Sequence, residues 1–195
     1  MAGYSFSEKQ IRLFAAIVPE PGIIECMSPF INRLKTEPWA KHVRWVRPKN
    51  IHLTIRFLGN TNTDRYHCLV DTLTRSLGAV TEFDISLSKV LHLPSPAKTR
   101  VIAAGVIPSP RLNSLAACVE AVARECGFEP EKKRFLANFT VGRCKNLDLR
   151  KLKPTLDFKG INVPVNGVNL VKSTLSPTGS VYGSMDRIAL KPISE

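Results

Sequence analysis

A chain of 195 residues, 44% of them apolar, is long enough for a packed core and too apolar to remain a disordered polymer. Twenty-eight Lys and Arg against 16 Asp and Glu leave a formal charge of +12, which attracts polyanions but names only a class of partner. No apolar run approaches the roughly 20 residues that cross a bilayer, and residues 1–10 lack the apolar centre of a secretion signal, so a cytoplasmic, membrane-free protein is expected.

In chain order, Ile11 to Val18 reads as a buried strand, and Pro19-Glu20-Pro21-Gly22 breaks it and opens a helix over 23–36. A short strand around Val43 to Val46 and a turn at Pro48 to Asn50 lead into a strand over Ile51 to Leu58 with β-branched and aromatic character. Gly59-Asn60 stops it, and a helix is expected over 63–77 with Asp64 in its first turn. Phe83 to Leu91 alternates as a strand does, and Thr99 to Ile107 is another. A helix over 111–126 then stops at Gly127. Phe135 to Cys144 is a strand, followed by a short helix near 148–153 and strands near 162–174 and 181–190. Strands and helices without a βαβ rhythm predict an α+β fold with mainly antiparallel sheets.

An internal echo refines that expectation. Ile51-His52-Leu53-Thr54-Ile55 parallels Ala137-Asn138-Phe139-Thr140-Val141, 86 residues later. The echo argues for two pseudo-symmetric lobes within one domain over 1–195, sheets facing a central cleft and helices outside. The five cysteines, Cys26, Cys68, Cys118, Cys126 and Cys144, contain no CxxC pair, which argues against a zinc ribbon. Reduced thiols filling apolar space are expected, with Cys118 and Cys126 on one helix face. No GxxxxGK[ST] loop is present to hold ATP.

His52 and Thr54 lie two apart on a strand and therefore point the same way, while Ile51, Leu53, Ile55 and Phe57 point to the core side. Arg56 is expected on the less apolar face beside them. An imidazole exchanges protons near neutral pH and a threonine hydroxyl donates to a phosphate oxygen, a pairing suited to phosphodiester chemistry. The tripeptide alone is common enough to be an incidental feature of a half-exposed strand.

The context carries more. Ile11 to Ile17, the Arg44-Trp45-Val46-Arg47-Pro48 run and Asn50 to Gly59 (NIHLTIRFLG) resemble the two-histidine phosphoesterases. More specifically, they look like the bacterial RNA 2′,3′-cyclic phosphodiesterases first named 2′-5′ RNA ligases. The likeness continues through 83–107 and Leu170 to Tyr182. The resemblance implies a second His-x-Thr motif on a strand related to the first by approximate two-fold symmetry. Here the matching segment runs from Asn138 to Arg143: Thr140 matches, Arg143 matches an arginine that contacts phosphate, and Asn138 stands where the histidine belongs. By that resemblance His52 is the proton donor, Asn138 occupies the acceptor position, and Thr54, Thr140 and Arg143 hold phosphate. No metal or other cofactor is expected, and the partner is RNA ending in a cyclic phosphate, bound by a monomer.

Arg143 lies an odd five residues beyond Asn138, so on a regular strand it would face away. It is expected at a strand end or reaching around. Phe57 offers a ring for base stacking, but its apolar face favours core packing. Ser173 and Tyr182 are candidate cleft residues, and Trp39 and Trp45 are read as packing anchors. Asn138 leaves three readings: an engineered variant, a natural member with reduced activity, or a protein that kept RNA-end binding without turnover. Ligation or cleavage of 2′-5′ linkages, and a cyclic nucleotide or ADP-ribose derivative as substrate, also remain open.

Overall fold

A computed structural model describes residues 10–150, 157–176 and 179–193. Its strands are β1 (Ile11–Ile17), β2 (Arg44–Trp45), β3 (Leu53–Thr61), β4 (Phe83–Leu93), β5 (Thr99–Val106), β6 (Asn138–Leu147), β7 (Asn162–Val165), β8 (Gly167–Ser176) and β9 (Gly179–Ala189). The helices are α1 (Pro21–Lys35), α2 (Thr63–Leu77) and α3 (Pro110–Glu125). The strands form one sheet of nine in the order β7-β4-β5-β6-β3-β1-β8-β9, with β2 paired to β6, and every pairing between these strands is antiparallel. This is the α+β architecture expected from the sequence.

Within the sheet, β3 and β6 of the two lobes pair at one point. β3 pairs with β6 through Leu53 and Phe139 alone, residues that are themselves counterparts in the internal echo. An approximate two-fold axis therefore passes between them, with β3-β1-β8-β9 on one side and β6-β5-β4-β7 on the other. Both residues are fully buried and lock the junction.

Helix positions follow from apolar spacing and local stops. Met27, Ile31 and Leu34 form the buried stripe of α1, which starts on Pro21. The side chain of Asn62 caps α2 by accepting from the Arg65 amide, and Ser109 caps α3 by accepting from Leu112. Gly127 ends α3 at φ 80°, a left-handed conformation that suits glycine. α2 and α3 pack on each other and on β9 and β3, whereas Phe30 of α1 stacks at 5.3 Å on Phe158 beside β4. Among the described residues no helix is long and apolar enough to cross a membrane.

Three expectations change. Residues 148–150 are not helical, and the rest of the helix expected over 148–153 lies outside the described residues. The stretch over 162–174 is two strands broken at Asn166. Cys68 of α2 and Cys126 at the end of α3 form a disulfide, their Cα atoms 5.7 Å apart, because the packed helices bring them face to face; Cys26, Cys118 and Cys144 are free.

Candidate functional site

The turn at Pro48–Asn50 delivers the chain into β3. The Asn50 side chain donates to the Ser180 carbonyl of β9 at 3.5 Å, and the Asn50 carbonyl sits 2.7 Å from His52 Nδ1. A carbonyl only accepts, so Nδ1 carries the proton and Nε2 of the neutral ring is the nitrogen left for chemistry. Phe14 lies at 4.8 Å and Tyr182 edge-on at 5.2 Å, holding the half-buried ring. The His52 pKa is lowered from the usual histidine value, first by burial; the Asn50 carbonyl opposes this and the Arg143 charge adds to it.

What decides the rest of the site is a pair of bulges. In the β1–β3 ladder Ala16 pairs with Thr54 but Ala15 pairs with Arg56, so Ile55 is an extra residue. In the β5–β6 ladder Ala103 pairs with Thr140 but Ile102 pairs with Gly142, so Val141 is extra. Ile55 and Val141 occupy equivalent places in the echo. Each bulge reverses the inside–outside alternation beyond it.

On β6 the reversal turns Arg143 to the same face as Asn138 and Thr140, within the strand. The parity conflict is removed without a strand end. On β3 it exchanges two expected positions. Phe57 leaves the core, is 61% exposed, and joins Phe14 on the cleft side at 6.1 Å. Arg56 turns inward to 8% exposure. There its guanidinium meets Glu120 of α3 at 2.5 Å and Glu131 at 3.3 Å, and donates to the carbonyls of Phe57 and Glu129. The symmetric place on β6 is Gly142, where a Cβ would lie 2.6 Å from Val43 Cγ1 and 3.4 Å from the Trp45 ring. Only a residue without a side chain lets β2 pack there.

The cleft thus presents Thr54 and Phe57 from β3 against Asn138, Thr140 and Arg143 from β6; His52, at the entry to β3, is not among the lining residues but lies near enough to Arg143 to feel its charge. A cavity of about 480 Å³ is lined by Thr54, Phe57, Asn138, Thr140 and Arg143, with Phe135 and Leu136 on its apolar wall and Arg100, Lys133 and Arg134 adding positive charge. Glu131 is the acid in this lining, and it is engaged by Arg56. Asn138 Nδ2 donates to the Leu136 carbonyl at 2.8 Å, which leaves its Oδ1 as an acceptor. Tyr182 packs on His52 and Phe14, and Ser173 pairs with it across β8–β9. Ser173 lines neither this cavity nor a smaller one beside Tyr182.

The sequence reading missed Phe14, Asn50 and the 131–136 wall. Phe14 lies in a run that is apolar on both faces, which hides which face it uses. Asn50 directly precedes the His-x-Thr motif within a turn signal, the one visible clue. Trp39 and Trp45 pack together at 6.3 Å, as expected.

A family model described as LigT like phosphoesterase matches residues 18–103. A protein of Archaeoglobus fulgidus named RNA 2′,3′-cyclic phosphodiesterase is 29% identical over 175 residues, covering 88% of this chain and 96% of its own. One of the same name from Methanothermobacter thermautotrophicus is 26% identical over 182 residues, 91% of this chain and 97% of its own. A solved structure from Thermus thermophilus superposes with a TM-score of 0.81 at 23% identity, covering 93% of this chain and 99% of that one. The family model over residues 18–103, relatives aligned nearly end to end and a shared fold agree in what the chain is similar to: LigT-like phosphoesterases.

Proposed function

We propose that this protein hydrolyses the 2′,3′-cyclic phosphate at the end of an RNA to a 2′-phosphomonoester, with chemistry slowed by Asn138. The observation that carries the reading is the convergence of Thr54, Thr140 and Arg143 on one cationic cleft, with His52 close enough to Arg143 to feel its charge; near-full-length relatives named for that activity support it. Water attacks phosphorus, the P–O3′ bond breaks, and O3′ takes a proton. In this reading His52 gives that proton from Nε2. It relaxes to the neutral ring protonated on Nδ1, the form that the Asn50 carbonyl favours. Thr54 and Thr140 donate to the non-bridging oxygens, and Arg143 neutralises charge with two parallel donors. Phe57 offers a stacking face for the terminal base. Tyr182 holds His52, with Ser173 behind it.

Asn138 stands at the acceptor position. Its Oδ1 can orient water but cannot take its proton, so turnover falls by about 10²–10⁴ relative to a histidine. The same arrangement supports a second reading: an RNA-end binder that keeps the phosphate site without useful turnover. Both readings need no metal or other cofactor, and both describe one two-lobed domain acting as a monomer. They place it in the cytoplasm, where a disulfide is uncommon; burial of Cys126 shields the Cys68–Cys126 bond.

The test is incubation with a short RNA ending in a 2′,3′-cyclic phosphate. Slow release of the 2′-phosphate, lost in His52→Ala, supports hydrolysis. Tight binding with no product in either protein supports the binder. Absence of both removes the reading.

A further inference from the structure

The Arg143 end of the cleft differs from the Phe57 end. A second cavity of about 260 Å³ opens there, lined by Arg44, Arg47 and Arg143 with Trp45 and Tyr182. Arg44 lies directly opposite Arg143 in the β2–β6 pairing. Like charges at such a cross-strand position repel and destabilise the pairing. Three cations among the described residues have acidic partners: Arg56 has Glu120 and Glu131, Arg150 has Asp148, and Lys159 has Asp157. Among the described residues no carboxylate pairs with Arg44, Arg47 or Arg143. The other end of the cleft combines its cations, Arg100, Lys133 and Arg134, with the apolar Phe57, Phe135 and Leu136. So the sequence places guanidinium groups together at one end and leaves them without internal counter-ions.

We infer that Arg44 and Arg47 form a second phosphate subsite, which takes the phosphodiester one nucleotide upstream of the reacting end. The inference rests on the cyclic-phosphate reading and narrows its substrate to oligonucleotides. Arg143 is shared by both cavities, so it touches the reacting phosphate on one side and adjoins the subsite on the other. On a strand ending in a cyclic phosphate the next negative charge can only lie upstream. Arginine suits it, because its planar fork matches two phosphate oxygens at once. The Trp45 and Tyr182 rings line the cavity beside the three arginines, whose exposed side chains stay open to an incoming phosphate.

The test compares two ligands by titration at fixed low salt: a mononucleoside 2′,3′-cyclic phosphate, and a diribonucleotide ending in the same group. The protein should bind the dinucleotide more tightly by roughly tenfold. In an Arg44→Gln, Arg47→Gln double variant that advantage disappears while mononucleotide affinity stays, and the salt slope for the dinucleotide falls by about one to two. Equal affinity of the two ligands for the parent protein overturns the subsite, and this comparison needs no variant to fold. Equal weakening of both ligands in the double variant also overturns it. If the parent binds neither ligand, the cyclic-phosphate reading falls and takes the subsite with it.

Discussion

Asn138 and His52 are related by the axis through Leu53 and Phe139, and each side chain meets the main-chain carbonyl two residues before it, at 2.8 and 2.7 Å. The anchoring contact is thus the same on both strands. What differs is the reach beyond it. The imidazole has a second nitrogen on the far side of its ring, whereas the amide ends at the anchor and offers only an oxygen that does not titrate. Under the proposed function, position 138 is the place of a titrating group that asparagine does not supply.

The pH dependence tests the donor role of His52. Its pKa is lowered by burial, an effect the Asn50 carbonyl resists and the Arg143 charge reinforces. A donor acts in its protonated form, so kcat should fall as pH rises through a midpoint below the usual 6.5. Replacing Arg143 with Gln removes a repelling charge and should move the midpoint upward. A kcat profile that rises with pH over this range would assign His52 the acceptor role instead.

Arg56 should matter to stability more than to chemistry. Its guanidinium joins β3, α3 and the loop that carries Glu129 and Glu131. Arg56→Met leaves two carboxylates unpaired, both partly hydrated, and should cost about 2–3 kcal/mol, less than a fully buried pair. Arg56→Lys should rescue little, because an ammonium cannot reach four acceptors at once. Urea midpoints measure both variants. An unchanged midpoint in Arg56→Met would mean that the loop holds without this contact.

The Gly142 contact predicts a specific clash. Gly142→Ala places a methyl group 2.6 Å from Val43 Cγ1 and should cost roughly 1–3 kcal/mol by lifting β2 from β6. Adding Val43→Ala should recover part of that loss, and a double-mutant cycle reads the coupling. Additive losses would place the strain elsewhere.

The Cys68–Cys126 bond closes a loop of 58 residues. Cross-linking a segment of that length stabilises by roughly 4 kcal/mol on chain-entropy grounds. Reduction, or Cys68→Ala, should lower Tm accordingly. A melting temperature indifferent to reductant would show that the two thiols are not bonded in solution.

Element types were legible in the sequence wherever apolar periodicity and punctuation agreed. The bounds of α2 match because Asn62 and Gly78 flank a clear stripe. The His-x-Thr echo located both motif strands. The bulges were not legible, because Ile55 and Val141 are ordinary strand residues and nothing local marks them as extra. Their effect propagated: Arg56 was expected in the cleft and lies in the core, and Phe57 the reverse. The Arg143 parity conflict was the one sequence-level sign that β6 is irregular. The disulfide escaped because Cys68 and Cys126 meet only through the packing of α2 on α3.

The most direct measurement is hydrolysis of a short RNA ending in a 2′,3′-cyclic phosphate by this protein and by Asn138→His, side by side. The histidine variant should turn over about 10²–10⁴ times faster, with unchanged affinity for the RNA end. Equal rates in the two proteins would contradict the assignment of position 138 as the vacant acceptor.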